Sequence, residues 1–260
     1  MEGVSRFLDR LINVMPSPIK RSLNWLRRAR NEIRAKRAAS KLARNVRYCN
    51  VCGWQGEQFS IFYNEGMRQN VEATCPNCKS EPRQRALFKY LRKEFLTTYL
   101  YAIKEKSFLC LEIGPDPSNP VERALKGIVY VSVDLNESRA MFQMDLTNLI
   151  LRDRTFDLVV CSHVLEHIED DLTAIGQIYR VLKKDGTALI QVPIGYYEDP
   201  LGKCTIEFGQ RRFSEHVRSY GWDFNERLLK AGFKVNVIHF TDYDSSKLGI
   251  EKEAIFKCKK

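Results

Sequence analysis

Two pairs of cysteines stand apart from the rest of the chain: Cys49 and Cys52, then Cys75 and Cys78, each a C-x2-C, with 22 residues between the pairs. Four thiolates at this spacing suit a tetrahedral zinc ion, and a closed shell of sulfur leaves no position for water. The expected metal is therefore structural zinc, with a role in folding and not in catalysis. Further on, acidic residues end successive apolar runs. Phe108-Leu109-Cys110-Leu111 leads into Glu112-Ile113-Gly114, and Ile128 to Val133 leads into Asp134, about 20 residues later, where open α/β sheets hold a carboxylate against ribose hydroxyls. Asp145 follows. A fourth run, Phe156 to Val160, ends in Cys161-Ser162-His163, so the acids and His163 are expected to share one strand-end edge, where such sheets bind ligands. The spacing points to a ligand that contains a nucleoside.

The elements that position these residues are legible from periodicity. Arg83 to Tyr101 carries Ala86, Leu87, Tyr90, Leu91, Phe95 and Tyr99 at helical spacing. Glu169 to Leu182 reads as a helix with Leu172, Ile175, Ile178, Tyr179 and Leu182 on one face, followed by a turn at Lys183 to Gly186 and a strand from Thr187 to Val192. A helix around Trp222 to Ala231, a turn at Gly232, a strand from Lys234 to Phe240 and a strand from Ala254 to Cys258 complete the pattern. The expected fold class is α/β, a Rossmann-like doubly wound sheet with a small N-terminal zinc ribbon and a basic helical arm. The boundaries are an arm over 1–47, the ribbon over 48–80, a connector helix over 81–105 and the sheet domain over 106–260.

Five segments in order carry a family resemblance: LEIGPDP from Leu111, VSVDL from Val131, QMDL from Gln143, FDLVVCSHVLEHIEDD from Phe156 and LKKDGTALIQVP from Leu182. Together they resemble the class I S-adenosylmethionine-dependent methyltransferases, in a type 11-like subgroup with an N-terminal zinc ribbon, from Ser107 to the C-terminus. The resemblance implies S-adenosylmethionine as cofactor, over Glu112, Gly114 and Pro115, with Asp134 and Leu135 at the ribose, Asp145 and Leu146 near adenine, and Cys161 and Ser162 completing the edge. One departure stands out. The first loop of the family carries several glycines, whereas here Gly114 is followed by Pro115-Asp116-Pro117, which fixes φ and limits close backbone approach.

Methyl transfer to a hydroxyl needs alignment and an acceptor for the proton, a task suited to histidine, whose ordinary pKa is about 6.5. His163 or His216 is the expected base, against the alternative that His163 only shapes the pocket. His163-Val164-Leu165-Glu166-His167 also matches the H-x-x-E-H of a class of zinc peptidases, which needs both histidines on one helix face. A histidine at a strand end argues against that geometry. Cys161 reads as a packed small hydrophobe and not a nucleophile.

The segment from Gly195 to Gly221 is long for a connection, which marks a functional loop. Tyr196, Tyr197, Arg211, Arg212, Arg218 and Tyr220 offer aromatic walls and guanidinium forks there, so the expected acceptor is a small molecule or glycan with an acidic or phosphate group. The alternative for these arginines is that they hold the loop down.

Charge is concentrated at one end. Of the 42 Lys and Arg, 13 lie in residues 1–47 with 3 of the 32 acids, leaving 29 of each sign in the remainder. Val4, Phe7, Leu8, Leu11, Ile12 and Met15 follow amphipathic helical spacing up to Pro16. Such an arm suits an anionic membrane surface or a protein partner. With no membrane-length apolar run and no secretory pattern, the expectation is a cytoplasmic protein, peripheral at the inner membrane surface if the arm engages lipid. Two other readings stay open: an RNA methyltransferase that uses ribbon and arm to hold phosphates, and a noncatalytic membrane-associated scaffold. Against RNA, the ribbon's aromatic residues are few: Trp54, Phe59, Phe62 and Tyr63.

Overall fold

The cysteine pairs organise the first strands. β1 (Arg47–Tyr48) and β2 (Gln55–Gly56) pair around the first C-x2-C, and the hairpin of β3 (Ser60–Asn64) and β4 (Gln69–Thr74) leads into the second. The computed structural model describes residues 46–64, 69–97, 108–136, 139–195, 201–212, 215–250 and 253–260, with backbone alone for 62–64 and 69–72. The basic arm lies outside the described residues, apart from its last two positions, as do Tyr196 and Tyr197.

After the ribbon comes α1 (Pro82–Tyr90), begun by proline in its first turn and a reciprocal cap between Glu81 and Gln84, and continued by a wider π turn over Leu91–Phe95. Next are β5 (Leu109–Ile113), α2 (Pro120–Ala124), β6 (Val129–Asp134), β7 (Phe142–Gln143) and β8 (Phe156–Ser162). α3 (Asp171–Val181) is capped by Asp170, whose side chain accepts from Thr173 N at 3.0 Å. Then follow β9 (Leu182–Gln191), the hairpin β10 (Ile206–Arg212) and β11 (His216–Ser219), α4 (Phe224–Lys230), β12 (Lys234–His239), α5 (Asp242–Leu248) and β13 (Ala254–Lys259).

The seven-stranded sheet has the order β7-β6-β5-β8-β9-β13-β12, parallel except for β13, which runs against both neighbours. β5, β8 and β9 are covered on both faces, which explains their unbroken apolar runs. One layer packs Leu111, Val159 and Ile190 under α3 and α4; the other packs Cys110, Leu158 and Leu189 against α1 and α2. Strand order turns around between β5 and β8, so the switch-point crevice lies beyond Gly114 and Ser162-His163. The fold is α/β and Rossmann-like, with an antiparallel strand pair closing one edge.

Two local expectations change. On α3 the buried stripe is Ala174, Ile175, Ile178 and Val181, while Leu172 is exposed; Asp171 takes the inward place because Tyr220 and Arg227 hydrogen-bond to it. The expected turn at Lys183 to Gly186 is instead part of β9, which begins at Leu182 opposite Phe156 and absorbs an irregularity before Thr187. Arg47–Lys260, with the cysteine pairs and the sheet, forms one compact unit.

Candidate functional site

Glu112, Asp134 and Asp145 come together at the C-terminal ends of β5, β6 and β7. Gly114 has φ +65°, and a side chain there would meet Val164 Cγ2 at 2.5 Å, with Asp134 Oδ2 at 4.0 Å. Only glycine satisfies both the left-handed backbone and the approach of the β8 loop across the switch point. Asp134 Oδ1 accepts from Asn136 N at 2.7 Å, and Asp145 Oδ1 accepts from Thr147 N and Thr147 Oγ1, both at 2.8 Å.

Glu112 is almost fully buried, and Tyr130 donates its phenolic hydroxyl to Oε2. Burial pushes its carboxyl up to about 7, opposed by the Tyr130 bond, with Asp116 and Glu122 adding to the rise. The loop without extra glycines is held from outside: Asp116 Oδ1 accepts from Ser118 N at 2.8 Å, and Asp116 Oδ2 accepts from Gln84 of α1. Beyond it, Ser118 Oγ and Asn119 Oδ1 are buried without hydrogen-bond partners among the described residues. At the other end Leu135, Met141 and Phe142 are exposed apolar side chains beside Asp134. Orphaned polar atoms at one end, an apolar face at the other and acids between them fit a cationic amino acid joined to a nucleoside.

Among the remaining expected cofactor residues, Pro115 is half-buried in the loop, Leu146 and Cys161 pack into the core, and Ser162 Oγ lies 3.1 Å from Gln191 Oε1. Burial pushes the Cys161 thiol up, in keeping with a packed hydrophobe and not a nucleophile.

His163 follows β8 with φ +55°, its backbone N–H donating to Gln191 O at 2.9 Å. Its Nδ1 lies 3.3 Å from Oε1 of Glu166, a fully buried carboxylate, while Nε2 is buried without a partner among the described residues. Glu166 is held below the usual carboxylate range: burial alone would raise it, and His163, then His167, outweigh burial. Glu166 escaped the sequence reading as a site residue, although its i+3 spacing from His163 was visible in H-x-x-E-H. The peptidase geometry is absent. His167 sits in a short 3₁₀ turn, Leu165–His167, and its ring meets His216 edge-on at 4.7 Å. Burial pushes His216 down to about 4, so its imidazole is neutral at pH 7 and a weak proton acceptor.

The acceptor arginines part company. Arg218 points inward: Nε donates to Glu207 at 2.9 Å, Nη1 to the carbonyls of Leu165 and Ile168, and Nη2 to Glu169 O at 2.7 Å. Tyr220 is buried with its hydroxyl on Asp171 Oδ2 at 2.7 Å. Both side chains hold the β10–β11 hairpin onto the 3₁₀ turn and α3, so here they face inward and not toward an acceptor. Arg211 and Arg212 remain on the exposed face of β10, Arg211 near His167 O at 3.5 Å and Arg212 over the Phe208 ring. On the same rim as His163 lies a cavity of about 320 Å³ between the ends of β9 and β12, lined by Ile194, Trp222, His239, Phe240 and Glu253.

The four ribbon cysteines converge, with Cys49 Sγ 3.6 Å from Cys78 Sγ and Cys52 Sγ 3.7 Å from Cys75 Sγ. Each knuckle closes the same way: Gly53 N donates to Cys49 O and Lys79 N to Cys75 O, with Gly53 and Lys79 both at positive φ. Ser80 Oγ touches Cys49 and Cys78 Sγ at 3.2 Å. Trp54 packs on buried Phe59, so neither ring is a free platform for a base.

Residues 109–190 match the family model described as "Methyltransferase domain". The matched segment, from β5 to β9, is similar to a methyltransferase domain. No curated protein matches the chain. Solved structures similar to it include an S-adenosylmethionine-dependent methyltransferase from Mesorhizobium loti (14% identity, 65% of this chain and 100% of that one, TM-score 0.45). A putative one from Listeria monocytogenes has 15% identity, covering 67% and 99%, with TM-score 0.46. A chain in the complex of the Haloferax volcanii Trm112 methyltransferase activator with its putative methyltransferase has 15% identity, covering 66% and 92%, with TM-score 0.46. Among the described residues no helix is long and apolar enough to cross a membrane.

Proposed function

We propose that the domain methylates a hydroxyl of a small molecule or glycan, with His163 as the base and Glu166 as the group that orients it. The observation that carries this reading is the His163–Glu166 pair beyond the C-terminal end of β8: an imidazole with one nitrogen against a buried carboxylate and the other buried without a partner among the described residues. The negative charge of a carboxylate 3.3 Å from Nδ1 favours the proton on that nitrogen and leaves Nε2 as the one that would accept. Glu112, Asp134 and Asp145 would hold the cofactor, which supplies an electrophilic methyl group on a sulfonium. His163 Nε2 would take the proton of the acceptor hydroxyl as that oxygen receives the methyl group.

The cavity beside Trp222 supports a small acceptor. It lies two strand spacings from β8, about 10 Å, and its volume suits a sugar or compact metabolite. Its ionisable lining is Glu253, whose carboxyl burial pushes up, and His239. With Arg218 turned inward, a neutral polyhydroxyl acceptor fits better than an anionic one. The four thiolates are proposed to hold zinc: a Zn–S bond of about 2.3 Å sets sulfurs about 3.8 Å apart in a tetrahedron, close to the separations here. Incubation with methyl-labelled cofactor and a panel of sugars and small hydroxylated metabolites tests the reading; transfer to RNA alone would overturn it.

A further inference from the structure

Three of the four histidines in the chain gather around one carboxylate. Glu166, His167 and His216 each offer a ligand atom, and these atoms lie within 4.8 Å of one another. Glu166 is fully buried, and neither of its oxygens accepts an aligned hydrogen bond among the described residues; His163 Nδ1 comes within 3.3 Å of Oε1 without hydrogen-bond alignment. A buried carboxylate left in that state is costly unless a cation completes it. The ligands come from two separate elements, the 3₁₀ turn after β8 and the first residue of β11, and Arg218 locks those elements together through the carbonyls of Leu165, Ile168 and Glu169.

We propose that Glu166, His167 and His216 form a second metal site, distinct from the four cysteines, for a first-row divalent transition ion. Two imidazoles and a carboxylate are borderline-to-hard donors that suit zinc, manganese, iron or cobalt, and three protein ligands leave open positions. Bonds of about 2.0–2.2 Å put cis ligands roughly 3–3.5 Å apart, so the side chains close by about 1 Å around the ion. Glu166 serves both neighbours, one oxygen toward His163 and the other toward the metal. Nearby Arg211 is drawn toward Glu169 and Glu215, at 3.7 and 4.0 Å. Resting on the reading of hydroxyl transfer above, the ion's open face would take an acceptor oxygen, favouring vicinal hydroxyls that chelate.

Titration of the metal-stripped full-length chain with Co²⁺ tests the site. The expected result is two bound equivalents, one with thiolate-to-cobalt charge-transfer absorption and one with only weak visible bands. His216→Ala and His167→Ala should each lose the second equivalent and keep the thiolate bands, which also report folding. Should either variant fail to fold, Mn²⁺ added to the native protein should broaden the ring-proton resonances of His167 and His216 ahead of His239. A single equivalent confined to the thiolates, a second equivalent that survives both substitutions, or unselective broadening overturns the proposal. None of these readouts uses methyl transfer, so the site can fail while the His163–Glu166 reading stands.

Discussion

His163 Nδ1 and Glu166 Oε1 lie 3.3 Å apart, three residues along the chain, because the backbone at His163 turns left-handed at the end of β8. A non-glycine residue in that region costs on the order of 1–3 kcal/mol, and such strain gathers at functional sites. His163→Ala should lower kcat about 10²- to 10⁴-fold while S-adenosylhomocysteine affinity is kept. Glu166→Gln should lower kcat by less, since the imidazole stays but loses its orienting charge. Steady-state kinetics with calorimetric binding separates these effects, and unchanged turnover in His163→Ala would remove the base.

If Glu112 seats the cofactor as proposed, binding should depend on pH. Its folded-state carboxyl, raised by burial from 4.5 to about 7, keeps a proton that the unfolded chain releases. That contribution to stability is fully present below pH 4.5 and is lost as pH rises through 7. A ligand ammonium needs the carboxylate, so S-adenosylhomocysteine affinity should rise with pH below about 7, approaching tenfold per unit. Calorimetry across this range checks it. Glu112→Gln should flatten the slope, and an unaltered slope would assign it elsewhere.

Arg85 ties the ribbon to the sheet. Its buried guanidinium lies 3.9 Å over Phe59 and donates to the carbonyls of Ala73 and Ser80 on one side and of Leu248 and Gly249 on the other. Burial lowers it to about 10, while Cys49 and Cys75 pull upward, so a thiolate-bound metal would hold it charged. Arg85→Met should cost about 3–5 kcal/mol in urea unfolding. Cys75→Ser should lose one metal equivalent and unfold the ribbon before the sheet, seen as early hydrogen exchange over residues 47–80.

Arg218→Ala should act on stability and not on acceptor KM. It removes a buried cation from Glu207 and Asp171 and takes a donor from the carbonyls of Leu165, Ile168 and Glu169, at a cost of about 3–5 kcal/mol. Chemical denaturation measures the loss. A raised acceptor KM with unchanged stability would restore Arg218 to the binding site.

The strands whose both faces are covered were legible as apolar runs, and so were the acids at their ends, because register and topology force the ends of β5, β6 and β8 onto one rim. The cysteine pairs were legible because metal spacing is local. Arg218 and Tyr220 were not, since their burial depends on a hairpin folding back onto a turn some 50 positions earlier, and the same residue types would serve an exposed binding loop. Leu172 misled for a related reason: Asp171 is drawn inward by partners distant in sequence, which rotates the buried stripe of α3. Glu166 lay in plain view within H-x-x-E-H, but its role follows from the left-handed turn at His163, which no local propensity announces.

The most direct measurement is calorimetric titration of the full-length chain with S-adenosylhomocysteine beside its Asp134→Ala variant. One site in the native chain, weakened about 10- to 150-fold by loss of a charged hydrogen bond in the variant, is the predicted result. No binding in the native chain, or equal affinity in the two, would contradict a cofactor seat at the ends of β5, β6 and β7.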